Sequence, residues 1–175
     1  MANSKPSDRL EWVRMAVEHY EGPLVRYAAR ITGDLDRARD VVQETFLRLC
    51  QQGRSRLDGH LAEWLYTVCR NQALDVRRKE SRMNAMSVAE METCVSRDSV
   101  PSAQLERDES MSQVLGVLAT LPENQQEVVR LKFQDGLSYR EISQITGLSI
   151  SNVGFLIHTG LKTVRQRLGV PTGRS

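Results

Sequence analysis

SYREISQITGLSISNVGFLIHTGLKTVRQRL, residues 138–168, is the stretch whose reading decides the fold. Ser138, Tyr139, Arg140 and Glu141 fit a capping box, in which the serine oxygen and the glutamate side chain satisfy amide groups left over at a helix start. A helix therefore begins at Ser138, turns Ile142 and Ile145 inward, and ends at Thr146-Gly147. Ser149 is placed to cap another helix only a few residues later. Two helices joined through so tight a glycine turn form a helix-turn-helix. In the second, Val153, Ile157, Gly160 and Val164 return at intervals of four, three and four, the spacing of a core-facing stripe. The opposite stripe is Asn152, Phe155, Thr159 and Lys162, with Ser151 at the amino end. Such a set suits a DNA major groove: Asn makes two hydrogen bonds to adenine, Ser and Thr reach base edges, Phe meets a thymine methyl, and Lys meets phosphate. A helical hairpin of this kind also occurs as plain packing, and an exposed phenylalanine has a partner that is protein as readily as DNA. The motif alone leaves both open.

Upstream, Leu121-Pro122-Glu123 reads as a stop and a fresh start, with proline at a first helical position. Val128, Val129, Leu131 and Phe133 build the helix that follows, which Asp135-Gly136 closes, and Val114, Leu115, Leu118 and Leu121 share one face of the helix before it. These elements make a block over 110–170. Between 83 and 109 the apolar rhythm stops. The stretch is rich in Ser, Met and acid, holds Pro101, and places Glu90, Glu92, Asp98, Glu106, Asp108 and Glu109 against Arg97 and Arg107. It reads as a flexible acidic linker, either a solvated tether or a mimic of a nucleic-acid strand.

A first block, 8–82, is helical by the same spacing rule. Leu10, Val13, Val17 and Tyr20 make one face; Gly22 and Pro23 predict a break, after which Leu24, Tyr27, Ala28 and Ile31 resume it. Past the turn Thr32-Gly33-Asp34, the residues Ala38, Val41, Val42, Thr45, Phe46 and Leu49 define a strongly amphipathic helix. Its other side carries Arg37, Asp40, Gln43, Glu44, Leu47 and Arg48. A polar loop over 51–59 leads to a third helix with Leu61, Trp64, Leu65, Val68, Cys69, Gln72 and Val76 on one stripe and the run Arg77, Arg78, Lys79 near its end. Those cations also complement a helix dipole, so the run by itself specifies no ligand.

The whole is expected to be all-α, two small helical domains on a tether, which 175 residues at 40% apolar content accommodate. Lys and Arg total 24 against 22 Asp and Glu, too even a balance to announce a nucleic-acid binder. Distribution says more: no acid follows Glu141, whereas Lys162, Arg165, Arg167 and Arg174 do. Cys50, Cys69 and Cys94 form no CxxC pair and stand at no metal-ligand spacing, so neither disulfide framework nor zinc site is expected; Cys50 and Cys69 are expected to be buried reduced thiols. The opening MANSKPSDRLEW lacks the apolar core of a secretion signal and no run of apolar residues is long enough to insert in a bilayer, so a cytoplasmic location is expected. No cofactor and no catalytic centre are expected, and no phosphate-cradling glycine loop occurs.

At this point the residues reach a resemblance. DRARDVVQETFLRL and WLYTVCRNQALDVRRK resemble region two of the extracytoplasmic-function branch of the sigma-70 family, and LPENQQEVVRLKFQDGLSYREISQITGLSISNVGFLIHTGLKTVRQRL resembles its region four. The two segments cover much of the chain, in the family's order and separation. The resemblance implies an initiation factor that binds core RNA polymerase, opens the minus-ten region of promoter DNA and reads the minus-thirty-five element. On matching positions it implies a polymerase-docking face at Asp40, Gln43, Glu44 and Leu47. It implies a minus-ten site at the 51–59 loop and at Arg70, Asn71, Asp75, Arg77, Arg78 and Lys79, where basic side chains hold an unpaired strand and a pocket takes a flipped base. For the minus-thirty-five element it agrees with the groove-facing set Ser151, Asn152, Phe155, Thr159 and Lys162, extended by the phosphate-gripping Arg165 and Arg167. It further implies an anti-sigma partner, in many cases carried by a membrane protein, with no membrane insertion of this chain.

The sequence departs from that pattern at one place. Many relatives carry basic residues near positions 154, 156, 159 and 161; here stand Gly154, Leu156, Thr159 and Leu161. Two rival readings stay open. A stand-alone helix-turn-helix regulator would use the second block and leave the Asp40 to Leu47 face and the basic third helix without a role. A metal-dependent nuclease would use Asp34, Asp36, Asp40 and Glu44, yet at helical spacing these share a surface with Arg37 and Arg48.

Overall fold

The computed structural model describes residues 6–87 and 108–169. Every regular element among them is a helix, and they separate into two compact units whose division falls between Arg97 and Asp98. The middle of the expected linker, 88–107, lies outside the described residues.

The first unit holds four helices: α1 (Pro6–Thr32), α2 (Leu35–Gln51), the single turn α3 (Arg54–Leu57) and α4 (Leu61–Ser87). α1 lies along both α2 and α4, which also pack on each other. The predicted break at Gly22-Pro23 is absent; Pro23 sits inside an unbroken α1. Losing one backbone hydrogen bond to an interior proline costs about 3 kcal/mol. The residues just after it offset that cost, because Leu24, Tyr27 and Ala28 are all buried against the partner helices. α2 starts where Asp34 accepts a hydrogen bond from the Arg37 amide at 2.8 Å. Its predicted inner face is the observed one, with Ala38, Val41, Val42, Thr45, Phe46 and Leu49 all buried. Thr45 tolerates burial because its hydroxyl donates to the Val41 carbonyl at 2.8 Å and accepts from the Gln72 amide of α4 at 3.4 Å.

On α4 the buried stripe is Leu65, Tyr66, Cys69 and Ala73, while Leu61, Trp64, Val68, Gln72 and Val76 lie half-buried along its border. Tyr66 meets Tyr27 of α1 edge to face, centroids 5.2 Å apart, a favoured aromatic geometry. The cysteine expectation holds for one thiol. Cys69 is buried, and desolvation pushes its thiol up to about 12, only partly opposed by a hydrogen bond with Thr45. Cys50 is exposed, because it follows Leu49 by one residue and so turns about 100° away from the inner face in the last turn of α2. α4 also runs on to Ser87, five residues into the stretch read as linker. Met83 to Ser87 contain no glycine or proline to stop it.

The second unit comprises α5 (Asp108–Leu118), α6 (Glu123–Phe133), α7 (Tyr139–Thr146) and α8 (Ile150–Arg167). α8 is its axis, packing on α5, α6 and α7. Leu118, Leu121, Val129 and Val164 form a buried cluster, bordered by Val114, Leu115, Val117, Leu161 and Leu168. The capping box at Ser138 and Glu141 is complete. α7 ends on Gly147 at φ 74, a left-handed conformation that glycine adopts without the steric cost a side chain brings. Ser149 then caps α8 by accepting from the Asn152 amide. Gly160 is needed for a different reason: a β-carbon there would stand 3.1 Å from Val129, so its absence lets α8 lie close to α6.

Candidate nucleic-acid interface

In the first unit, two exposed surfaces come from opposite sides of buried stripes. Asp40, Gln43, Glu44 and Leu47 recur at three, one and three residues along α2, so they share one face, and all four are exposed. Glu44 is tied to Arg48 at 3.1 Å. Asp40 and Gln43 make no hydrogen bond or ion pair among the described residues. Leu47 is 59% exposed in the middle of this polar face. Arg37, seven residues before Glu44 and so on the same side of α2, pairs with Glu80 of α4. The carboxylates considered for a metal are spread along a surface, and no cluster of metal-ligating side chains occurs among the described residues.

On α4, Asn71, Asp75 and Arg78 follow one another at four and three and lie opposite the buried stripe. Arg70 and Arg77, seven apart, run along one flank, and Lys79 lies on the other. Asp75 accepts from Arg78 at 3.1 Å, an exposed pair that is worth little in itself. Asn71 and Lys79 are exposed with no partner among the described residues. The 51–59 segment is not plain loop. Its centre winds into α3, which buries Leu57 as a plug and leaves Arg54 and Arg56 exposed beside α4 in sequence. An apolar residue three positions after Arg54 is the signal that would have shown the turn. Together these groups give the unit two neighbouring elements bearing cations, without one enclosed cavity.

In the second unit, the core stripe read from the sequence is the observed one: Val153, Ile157, Gly160 and Val164 are buried, joined by Leu156. Ser151, Asn152, Phe155, Lys162 and Arg165 are exposed, and the Phe155 ring is 63% exposed. Thr159 stands differently. It is half-buried, and its hydroxyl donates toward the Phe155 and Leu156 carbonyls while accepting from Gln125 of α6 at 3.3 Å. His158, absent from the sequence-derived set, falls on the outer face; Ser151, Phe155, His158, Lys162 and Arg165 recur at four, three, four and three. The spacing rule that located the core would have found it. None of Ser151, Asn152, His158, Lys162 and Arg165 has a side-chain partner among the described residues. Arg167, by contrast, donates to the Thr120 hydroxyl at the end of the α5 segment. Beneath α8, the guanidinium of Arg130 is half-buried, which lowers its pKa, while neighbouring Asp135 acts in the opposite direction.

An open groove in the second unit is lined by Gln113, Gly116, Val117, Thr120, Arg167 and Leu168. What the two units offer is convex helical surface with free polar side chains, suited to macromolecules. No described helix is long and apolar enough to cross a membrane.

Comparison with known proteins agrees with this division. The family model "Sigma-70 region 2" matches residues 16–83, and "Sigma-70, region 4" matches residues 111–164. The chain is 28% identical over 165 residues to the ECF RNA polymerase sigma factor SigL of Mycobacterium tuberculosis, covering 90% of this chain and 91% of that one. It is 29% identical over 151 residues to the ECF RNA polymerase sigma factor SigM of Bacillus subtilis, covering 85% and 88%. With the RNA polymerase sigma factor CarQ of Myxococcus xanthus it shares 28% identity over 163 residues. Among solved structures, the sigma factor RpoE of Bartonella quintana, determined with the anti-sigma factor NepR, is similar at TM-score 0.65 and 21% identity, over 91% of this chain and 98% of that one. At that identity the likeness establishes the fold.

Proposed function

This chain belongs to the extracytoplasmic-function branch of the sigma-70 family and is an RNA polymerase sigma factor; we propose that it does its work by a division of labour between its two helical units. The first, over 8–82, docks on core polymerase through Asp40, Gln43, Glu44 and Leu47, and holds the opened minus-ten strand through Arg70, Asn71, Asp75, Arg77, Arg78 and Lys79, with the α3 segment alongside. The second, over 110–170, seats α8 in intact duplex at the minus-thirty-five element through Ser151, Asn152, Phe155, Lys162 and Arg165, with the half-buried Thr159 bracing α8 against Gln125 of α6. The segment 83–109 joins them. The observation that carries this reading is the pairing, in one chain and in family order, of two helical units matching sigma-70 regions 2 and 4, each with exposed polar side chains on an outward helix face.

The factor acts stoichiometrically. Opening a promoter costs base-pair stacking, and capture of unpaired bases offsets it without nucleotide hydrolysis. We read the protein as a non-enzyme at work in the cytoplasm, where its polymerase is. An anti-sigma factor that covers both units until a signal releases them is the partner expected of the family, and the similar RpoE was solved with one. Two weak attachments on one tether yield a tight complex through effective concentration, so neither unit needs high affinity alone. A stand-alone regulator would have no use for the α2 face. The test is therefore binding of the full chain to core polymerase: Leu47→Asp should abolish it by placing a charge in a desolvated contact while leaving helicity intact. Undiminished binding by that variant would reject the docking face.

A further inference from the structure

We infer that the upstream DNA element read by this chain consists of A·T pairs and holds no guanine opposite the first three turns of α8. The inference deepens the function proposed above and rests on α8 lying in the major groove. Guanine presents two neighbouring acceptors there, N7 and O6, and the side chains that engage both are Arg and Lys. From Ser149 to Leu161, α8 and its cap contain neither. The first cation is Lys162, which at 1.5 Å per residue lies about 18 Å along the axis from Ile150. A recognition helix turns its amino-terminal residues toward the bases, which leaves Lys162 and Arg165 at the phosphate end. The cytosine amine of the same pair calls for Asp or Glu, and no acid follows Glu141. Glu141 itself is held in the capping box, accepting from both the Ser138 amide at 2.7 Å and its hydroxyl at 2.6 Å.

The groups that do face outward in these turns suit adenine and thymine. The Asn152 amide has no partner among the described residues and has the donor and acceptor that adenine N7 and N6 require. Phe155 and Ile150, 63% and 53% exposed, are apolar surface of the kind that a thymine methyl covers. Ser151 suits any pair. Thr159 is already committed to the Phe155 and Leu156 carbonyls and to Gln125. His158 presents its two ring nitrogens on different edges, which cannot face two adjacent acceptors together. Arg140 is exposed, but it stands on α7, the helix of such a motif that crosses the DNA backbone. Gly154 lies beside the Tyr139 ring in the first turns of α8, and a β-carbon there would meet that ring at 3.6 Å, an ordinary contact.

The experiment is selection by transcription: the full chain with core polymerase on promoters randomised upstream and downstream, with transcripts sequenced. The expected result is an enriched upstream element of A and T, in which each G·C replacement reduces output roughly five- to 150-fold. In the same assay Gly154→Arg should create a guanine preference at one position of that element. An element with enriched guanine that shifts on Asn152→Ala or Phe155→Ala would overturn the inference while leaving α8 in the groove. An upstream preference indifferent to Asn152, Gly154 and Phe155 would overturn the placement of α8 as well.

Discussion

Asn152 and Arg78 are both exposed polar residues near helix surfaces, yet the account gives them separable tasks. Asn152→Ala should change preference at one upstream base pair by roughly 1–3 kcal/mol, read from promoter competition, without altering strand opening. Arg78→Ala should weaken opening, measured by permanganate reactivity of unpaired thymines, with upstream preference unchanged. Exchanged outcomes would contradict the division of labour. The cysteines give a second test at this scale. Cys69 is neutral in the folded state until about pH 12 and ionises near 9 once exposed, so the folded form binds the extra proton across that window. Its contribution to stability is full below about pH 9 and is lost as pH rises from there toward 12, by up to about 4 kcal/mol in total. Denaturant titrations at several alkaline pH values should show this slope in the wild type and a shallower one in Cys69→Ala. At neutral pH, a thiol reagent followed by peptide mass mapping should label Cys50 and spare Cys69 until the protein unfolds; labelling of Cys69 in the native state would refute its burial.

Individual elements show why parts of this structure were legible in the sequence and others were not. Helix ends written in local chemistry, such as the Ser138 box, the Gly147 turn and the Ser149 cap, could be read directly, because side chain and backbone lie within four residues of each other. Replacing Ser138 by Ala should lower the stability of the second unit by about 1 kcal/mol in a melting experiment. The inner faces of α2 and α8 were equally plain, since each repeats over about three turns. Pro23 misled because its cost is local whereas its compensation, burial of Leu24, Tyr27 and Ala28, comes from helices distant in sequence. Tyr66 was missed on α4 and Cys50 misassigned on α2 for a related reason. Which residues border a stripe is decided by the width of the neighbouring helix, and spacing alone gives no width. His158 is the contrary case, a position that the four-three rule includes and that chemical expectation passed over in favour of Thr159.

At the scale of the whole molecule, the proposed function joins modest attachments. α8, the proposed reading helix, carries Lys162 and Arg165 as cations without a partner among the described residues, and few phosphate contacts would mean weak binding of duplex by that helix alone. Lys162→Ala should reduce the magnitude of the log-log salt slope of promoter binding by roughly 0.9, the share of one phosphate. In this proposal, joining both units in one chain that binds polymerase raises their effective concentration on one promoter. The central claim is that one unit grips the enzyme and unpaired bases while the other reads intact duplex. Its most direct measurement is run-off transcription by core polymerase on a promoter library, with and without the folded full-length chain. The account predicts promoter-specific transcripts only when the chain is present, lost with Leu47→Asp and redirected with Asn152→Ala. A folded chain that binds duplex DNA unaided but yields no polymerase-dependent transcript would contradict it.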